Sequence, residues 1–115
     1  MEKLESEKFI HLETIGRRSG KPHIVELWFA IEKGRVFLSH EGEETDWMKN
    51  TRRNGGVSFE IGGKRFNGKA RYVEDGTGEA WTGKLALYEK YYGKAAKEVI
   101  EDWFSLSRLV VIETS

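Results

Sequence analysis

The sequence predicts a mainly β fold with helices: an antiparallel barrel of six short strands, with one short central helix and two C-terminal helices. Short runs rich in β-branched and aromatic residues recur through much of the chain, and Gly-containing turns join most of them. Helical spacing of apolar residues is confined to the middle and the C-terminal part. Strands linked by such turns pair antiparallel, and closing them into a barrel removes their edges.

Phe9–Ile15 reads as the first strand and His23–Ile31 as the second, joined by the turn Gly16–Pro22. Glu32-Lys33-Gly34-Arg35 turns the chain into a third strand, Val36–His40, so that strands two and three form a hairpin. Residues 41 to 46 form an acidic loop. Thr45 or Asp46 caps a short helix running from Trp47 through Arg53, with acid at its start and base at its end. Asn54-Gly55-Gly56 stops that helix through the left-handed conformation open to Asn and Gly. Val57–Ile61 and Lys64–Val73 make the next hairpin about Gly62-Gly63. Phe66, Gly68, Ala70 and Tyr72 share one face of it, the small residues leaving room above. Trp81, Leu85, Tyr88 and Tyr92 mark the stripe of a helix ended by Gly93, and Ala96, Val99, Ile100 and Trp103 mark a second helix. The last strand is Leu106–Glu113, whose Leu109-Val110-Val111-Ile112 run implies burial on both faces.

At 115 residues the chain reads as one domain, 1–115, with enough apolar residues for one core. Lys and Arg (19) balance Asp and Glu (19), so no overall field draws in nucleic acid or anionic lipid, and electrostatic binding must be local. There is no cysteine, which excludes disulfides, thiol nucleophiles and cysteine zinc sites and fits a cytoplasmic protein. No segment approaches the ~20 apolar residues of a membrane span, and the acidic N-terminus lacks the apolar core of a leader.

The segment richest in chemistry is Gly16-Arg17-Arg18-Ser19-Gly20-Lys21-Pro22. Three cations, a hydroxyl and exposed amides sit on one turn, a combination that suits a phosphate; a hairpin turn kept soluble by its charge would look the same. Three scattered histidines have no ligand spacing, so no metal is expected. His40, Tyr88, Tyr91 and Tyr92 are the candidate proton donors or substrate contacts. Tyr88 and Tyr92 lie on the inward stripe, which leaves Tyr91 the freer phenol.

The segments Leu12–Pro22, Trp47–Asn54 and Gly63–Phe66 with Ala70-Arg71 resemble the deazaflavin-dependent nitroreductase family. That family belongs to the split β-barrel flavin-binding superfamily of pyridoxamine-phosphate oxidases. The resemblance covers nearly the whole chain. It implies a flavin- or deazaflavin-dependent oxidoreductase passing a hydride between the cofactor and a small organic acceptor. It also implies a homodimer with cofactor sites at the subunit interface. By position, Arg17, Arg18, Ser19 and Lys21 meet the phosphate. His23 stands where many relatives carry arginine, and loses a permanent charge. Ser39 and His40 lie near the cofactor ring or chain, beside Trp47 and Asn50. Relatives that bind flavin mononucleotide (FMN) usually have a lysine or arginine near position 47, so Trp47 favours coenzyme F420, an 8-hydroxy-5-deazaflavin, over FMN. Two readings stand beside the enzyme. One is a non-catalytic barrel that binds a flavin or another anion. The other is a single-stranded nucleic-acid binder, which the balanced charge and the acidic loop disfavour.

Overall fold

The computed structural model describes residues 2–41, 44–93 and 107–114. After a 3-10 turn at Glu2–Ser6 come β1 (Ile10–Ile15), β2 (Pro22–Leu27), β3 (Ala30–Glu32) and β4 (Arg35–Glu41). Helix α1 (Asp46–Arg53), β5 (Gly56–Ile61), β6 (Lys64–Tyr72), α2 (Gly78–Tyr92) and β7 (Ser107–Thr114) follow. The second C-terminal helix expected around Ala96–Trp103 lies outside the described residues.

There are seven strands, not six, in one antiparallel sheet of order β2-β1-β5-β6-β7-β4-β3. The extra strand arises because the expected second strand breaks at Trp28-Phe29. Its first half pairs with β1 and its second half with β4. The barrel is therefore split and its sheet is not closed by hydrogen bonds. Its two outermost strands, β2 and β3, are nonetheless consecutive in the chain with two residues between them, which forces the sheet to curl. At the break Phe29 is fully buried and Trp28 stacks on Tyr91, with ring centroids 4.2 Å apart. The Phe29 N–H, turned off the ladder, donates to the Tyr91 hydroxyl at 2.9 Å.

Strand β7 explains its own apolar run. Val110 and Ile112 point into the main core with Ile10, Leu12, Phe59 and Leu38, while Leu109 and Val111 point the other way against α2 with Phe37 and Leu87. All four are 1% exposed or less, as a strand covered on both faces requires. On β6 the expected inward face holds, but Gly68 leaves no room: a Cβ there would lie 2.6 Å from the Glu113 carbonyl oxygen of β7. The small residue permits the close approach of a strand.

Two helical expectations are corrected. Helix α1 does not end in a left-handed residue. Asn54 is extended at φ −140°, its side chain accepts from the Gly56 N–H, and Gly55 is there because a Cβ would meet the Ala70 carbonyl at 2.9 Å. The buried face of α2 is Ala80, Gly83, Lys84, Leu87 and Tyr88, leaving Trp81 45% and Tyr92 53% exposed. The aromatic spacing marked a stripe rotated from the one that packs, because small residues let the helix sit close to β4 and β7. Thr77 caps this helix, accepting from the Ala80 N–H at 3.1 Å. Glu79 in its first turn takes a two-pronged contact from Arg71 of β6 at 2.6 and 2.8 Å, which holds its carboxyl below the usual range.

Lys90, near the end of α2, has a buried Nζ lying 3.6 Å from the Phe29 ring centroid, with no hydrogen-bond partner among the described residues. Burial pushes its pKa down to about 8, against the weaker opposite pull of Glu5 and Glu7. Between pH 8 and the ordinary lysine range near ~10.4 the unfolded chain binds the proton and the folded one does not, so this residue adds stability as pH rises. Lys90→Met should remove that slope. Chemical denaturation of both proteins between pH 7 and 10 reads it: the stability difference should favour the variant at pH 7 and shrink as pH rises.

Candidate functional site

The basic turn is shaped by its own backbone. The Gly16 N–H donates to the Lys21 carbonyl at 2.8 Å and the Gly20 N–H to the Gly16 carbonyl at 2.9 Å, while Gly20 takes the left-handed φ of 70°. Gly16 is needed for space: a Cβ would stand 2.7 Å from both His23 Nε2 and Ser19 Oγ. The imidazole and the hydroxyl thus close over the start of the turn.

What fixes the turn to the barrel is Asn50 of α1, which is 3% exposed. Helix α1 buries Trp47, Met48, Asn50 and Thr51 on one side and lies over β1 and β6, which aims Asn50 at the turn. Its Nδ2 donates to Thr14 Oγ1 of β1 at 3.2 Å. Its Oδ1 accepts from the Arg17 main-chain N–H at 3.2 Å and from Arg17 Nη1 at 3.0 Å. Arg17 Nη2 reaches Asp46 Oδ1 at 3.3 Å. A buried amide that donates from its nitrogen and accepts twice on its oxygen in this way specifies one arrangement of backbone.

A cleft of about 470 Å³ opens here, lined by Thr14, Gly16, Arg17, Arg18, Ser19, His23, Ile24, Val25, Asp46, Trp47 and Asn50. The structure brings six of the sequence-derived candidates together: Arg17, Arg18, Ser19, His23, Trp47 and Asn50. Lys21 is exposed outside the lining, and its backbone N–H donates to Ser19 Oγ at 3.2 Å. Ser39 and His40 of β4 stand elsewhere, half-buried in a second cleft of about 340 Å³ with Trp28, Leu87, Tyr91 and Tyr92. Strand β2 borders both clefts, with His23 to Val25 in the first and Glu26 and Leu27 in the second.

Tyr91 is not the freer phenol. Its hydroxyl accepts from Phe29 N–H and lies 2.7 Å from the Lys8 carbonyl and 2.9 Å from that of Phe29, which use its proton. Tyr92 is the exposed one. Thr14 and Asp46 are site residues that sequence reasoning missed. The signal for Asp46 was its place one residue before Trp47 in the first helical turn; nothing local marks Thr14, which reads as an ordinary strand residue.

The family-level match spans residues 1–102, to the F420H2-dependent quinone reductase model. The chain belongs to that family. It is thus one of the deazaflavin-dependent oxidoreductases, and the cofactor of its family is coenzyme F420. Among curated proteins none matches the sequence. Solved structures support the fold. A conserved hypothetical protein from Mycobacterium tuberculosis, Rv2991, is 25% identical with a TM-score of 0.80, covering 96% of this chain and 75% of its own. The haem storage protein HutZ of Vibrio cholerae is 18% identical with a TM-score of 0.77, covering 99% and 86%. The F420H2-dependent reductase FDR-A is 22% identical with a TM-score of 0.69, covering 91% and 93%. This family member therefore has the split β-barrel fold shared with pyridoxamine-phosphate-oxidase-like proteins. No helix among the described residues is long and apolar enough to cross a membrane.

Asn50→Ala should cost about 1–3 kcal/mol of stability, because it strands the buried Thr14 hydroxyl and the Arg17 N–H. Equilibrium denaturation measures that loss.

Proposed function

We propose that this protein holds the phosphate of coenzyme F420 in the basic cleft and transfers a hydride between the deazaflavin and a small organic acceptor. The observation that carries this reading is the convergence of Arg17, Arg18, Ser19 and His23 with Trp47 on one cleft, in a chain whose family uses reduced F420. The donor set fits a phosphate. Arg18 is exposed and has no ion-pair partner among the described residues, Ser19 adds a hydroxyl, and Trp47, 5% exposed, gives a rigid apolar wall. When bound, the deazaflavin supplies the hydride chemistry, and the protein's part is to position it and set its electrostatics.

Within that reading Arg17, Arg18 and Ser19 bind and orient the phosphate, and His23 lines the cleft beside them. Ser39 and His40 serve the ring end or the acceptor from the second cleft, where His40 is the side chain suited to move a proton. The assembly we propose is a homodimer with cofactor sites at the interface. Support comes from the apolar surface beside the clefts, where Ile24 is 64% and Trp28 40% exposed.

Titrating the apo protein in parallel with F420 and FMN, followed by absorbance and fluorescence, tests this. Selective binding of F420 is the expected result, with a light-scattering mass of two chains. Binding of neither would sink the reading, and binding without turnover of any acceptor would turn it into a cofactor-carrying module. Arg18→Ala should weaken F420 by about tenfold through loss of one charge-assisted contact, while the apo protein's stability stays within ~0.5 kcal/mol.

A further inference from the structure

Arg17 is held by two partners of different character. Asn50 is buried and neutral, and takes both the main-chain N–H and Nη1 of Arg17 on one oxygen. Its own amide is fixed from behind by Thr14, which is fully buried. Asp46 is the opposite. It makes one contact to Nη2, at 3.3 Å, from a side chain that is 87% exposed. An exposed pair with one long contact is worth little. Asp46 also has a second favourable place as the acidic residue in the first turn of α1, so it loses little when it lets go of Arg17.

We propose that Asp46 is a built-in competitor for the anion of the basic cleft. Its carboxylate occupies the outer arm of Arg17 until a phosphate displaces it, while Asn50 keeps the guanidinium in place. The two contenders are unequal. Among the described residues Asp46 reaches Arg17 alone, whereas a phosphate in the cleft meets Arg17, Arg18 and Ser19 together. An anion with a single charged contact point gains too little to evict the carboxylate, and a phosphate does not. Asp46 thereby sets a threshold on which anions the cleft accepts. Asn50 is a positioning residue here, presenting the fork without neutralising it. This inference rests on the reading that the cleft holds a phosphate.

The test is a double-mutant cycle of Asp46→Asn and Arg17→Met, with calorimetric titration of inorganic pyrophosphate and of F420 into all four proteins. Asp46→Asn should bind either probe more tightly, by up to about fivefold, the affinity equivalent of about 1 kcal/mol for an exposed pair. In the Arg17→Met background that gain should disappear. An equal gain in both backgrounds would mean that Asp46 acts as a distant charge, and overturns the proposal; so does the absence of any gain. If Arg17→Met does not fold, Arg17→Lys, which keeps the charge and loses the fork, closes the cycle. Coupling seen with pyrophosphate but no F420 binding would sink the cofactor reading and leave this inference standing. F420 binding without coupling does the reverse, and binding of neither probe overturns both.

Discussion

The structure turns on a single broken strand. Between Leu27 and Ala30 the chain leaves one ladder and joins another, and the backbone N–H freed at Phe29 would be an unpaired donor in a dry core. Such a group costs as much as a lost hydrogen bond, and the Tyr91 hydroxyl meets it from the end of α2. The same hydroxyl lies against the Lys8 carbonyl, so one phenol ties the strand break to the segment before β1 and to α2. Because the break puts the two ends of the sheet two residues apart, the sheet curls into a split barrel. Both clefts lie along the strand that leads into the break.

The electrostatics follow from how a neutral chain distributes its charges. Most guanidinium groups outside the cleft are spoken for: Arg65 by Glu13, Arg52 by Glu44, Arg35 by Glu79, and Arg71 by Glu79 and Glu113. These pairs are largely exposed and individually weak. At the basic turn a buried amide rather than a carboxylate carries the main anchor of Arg17. A neutral anchor matters: it fixes geometry without spending the charge that an anion needs.

Much of the fold was legible in the sequence because it rests on local rules. The period-two alternation of β1, β5 and β6, the apolar run of β7, the turn signals at Lys33-Gly34 and Gly62-Gly63, and the acid-to-base polarity of α1 each report a short-range constraint. The basic turn was legible for the same reason, as were Trp47 and Asn50 once its resemblance to a known family was in view. The α2 stripe was misread because exposed aromatics at helical spacing look the same as buried ones. Only contact with β4 and β7 selects the small-residue face.

By itself, then, the sequence determined the antiparallel elements, the placement of three cations on one tight turn, and the balance of charge that makes binding local. Tertiary structure alone decided that the second strand divides, that Tyr91 serves the backbone while Tyr92 faces solvent, and that the candidate residues separate into two clefts. The physical reason is range. Propensity and periodicity act over a few residues, whereas the fate of Phe29 N–H, Thr14 Oγ1 and the Arg17 fork is set by partners 62, 36 and 33 positions away.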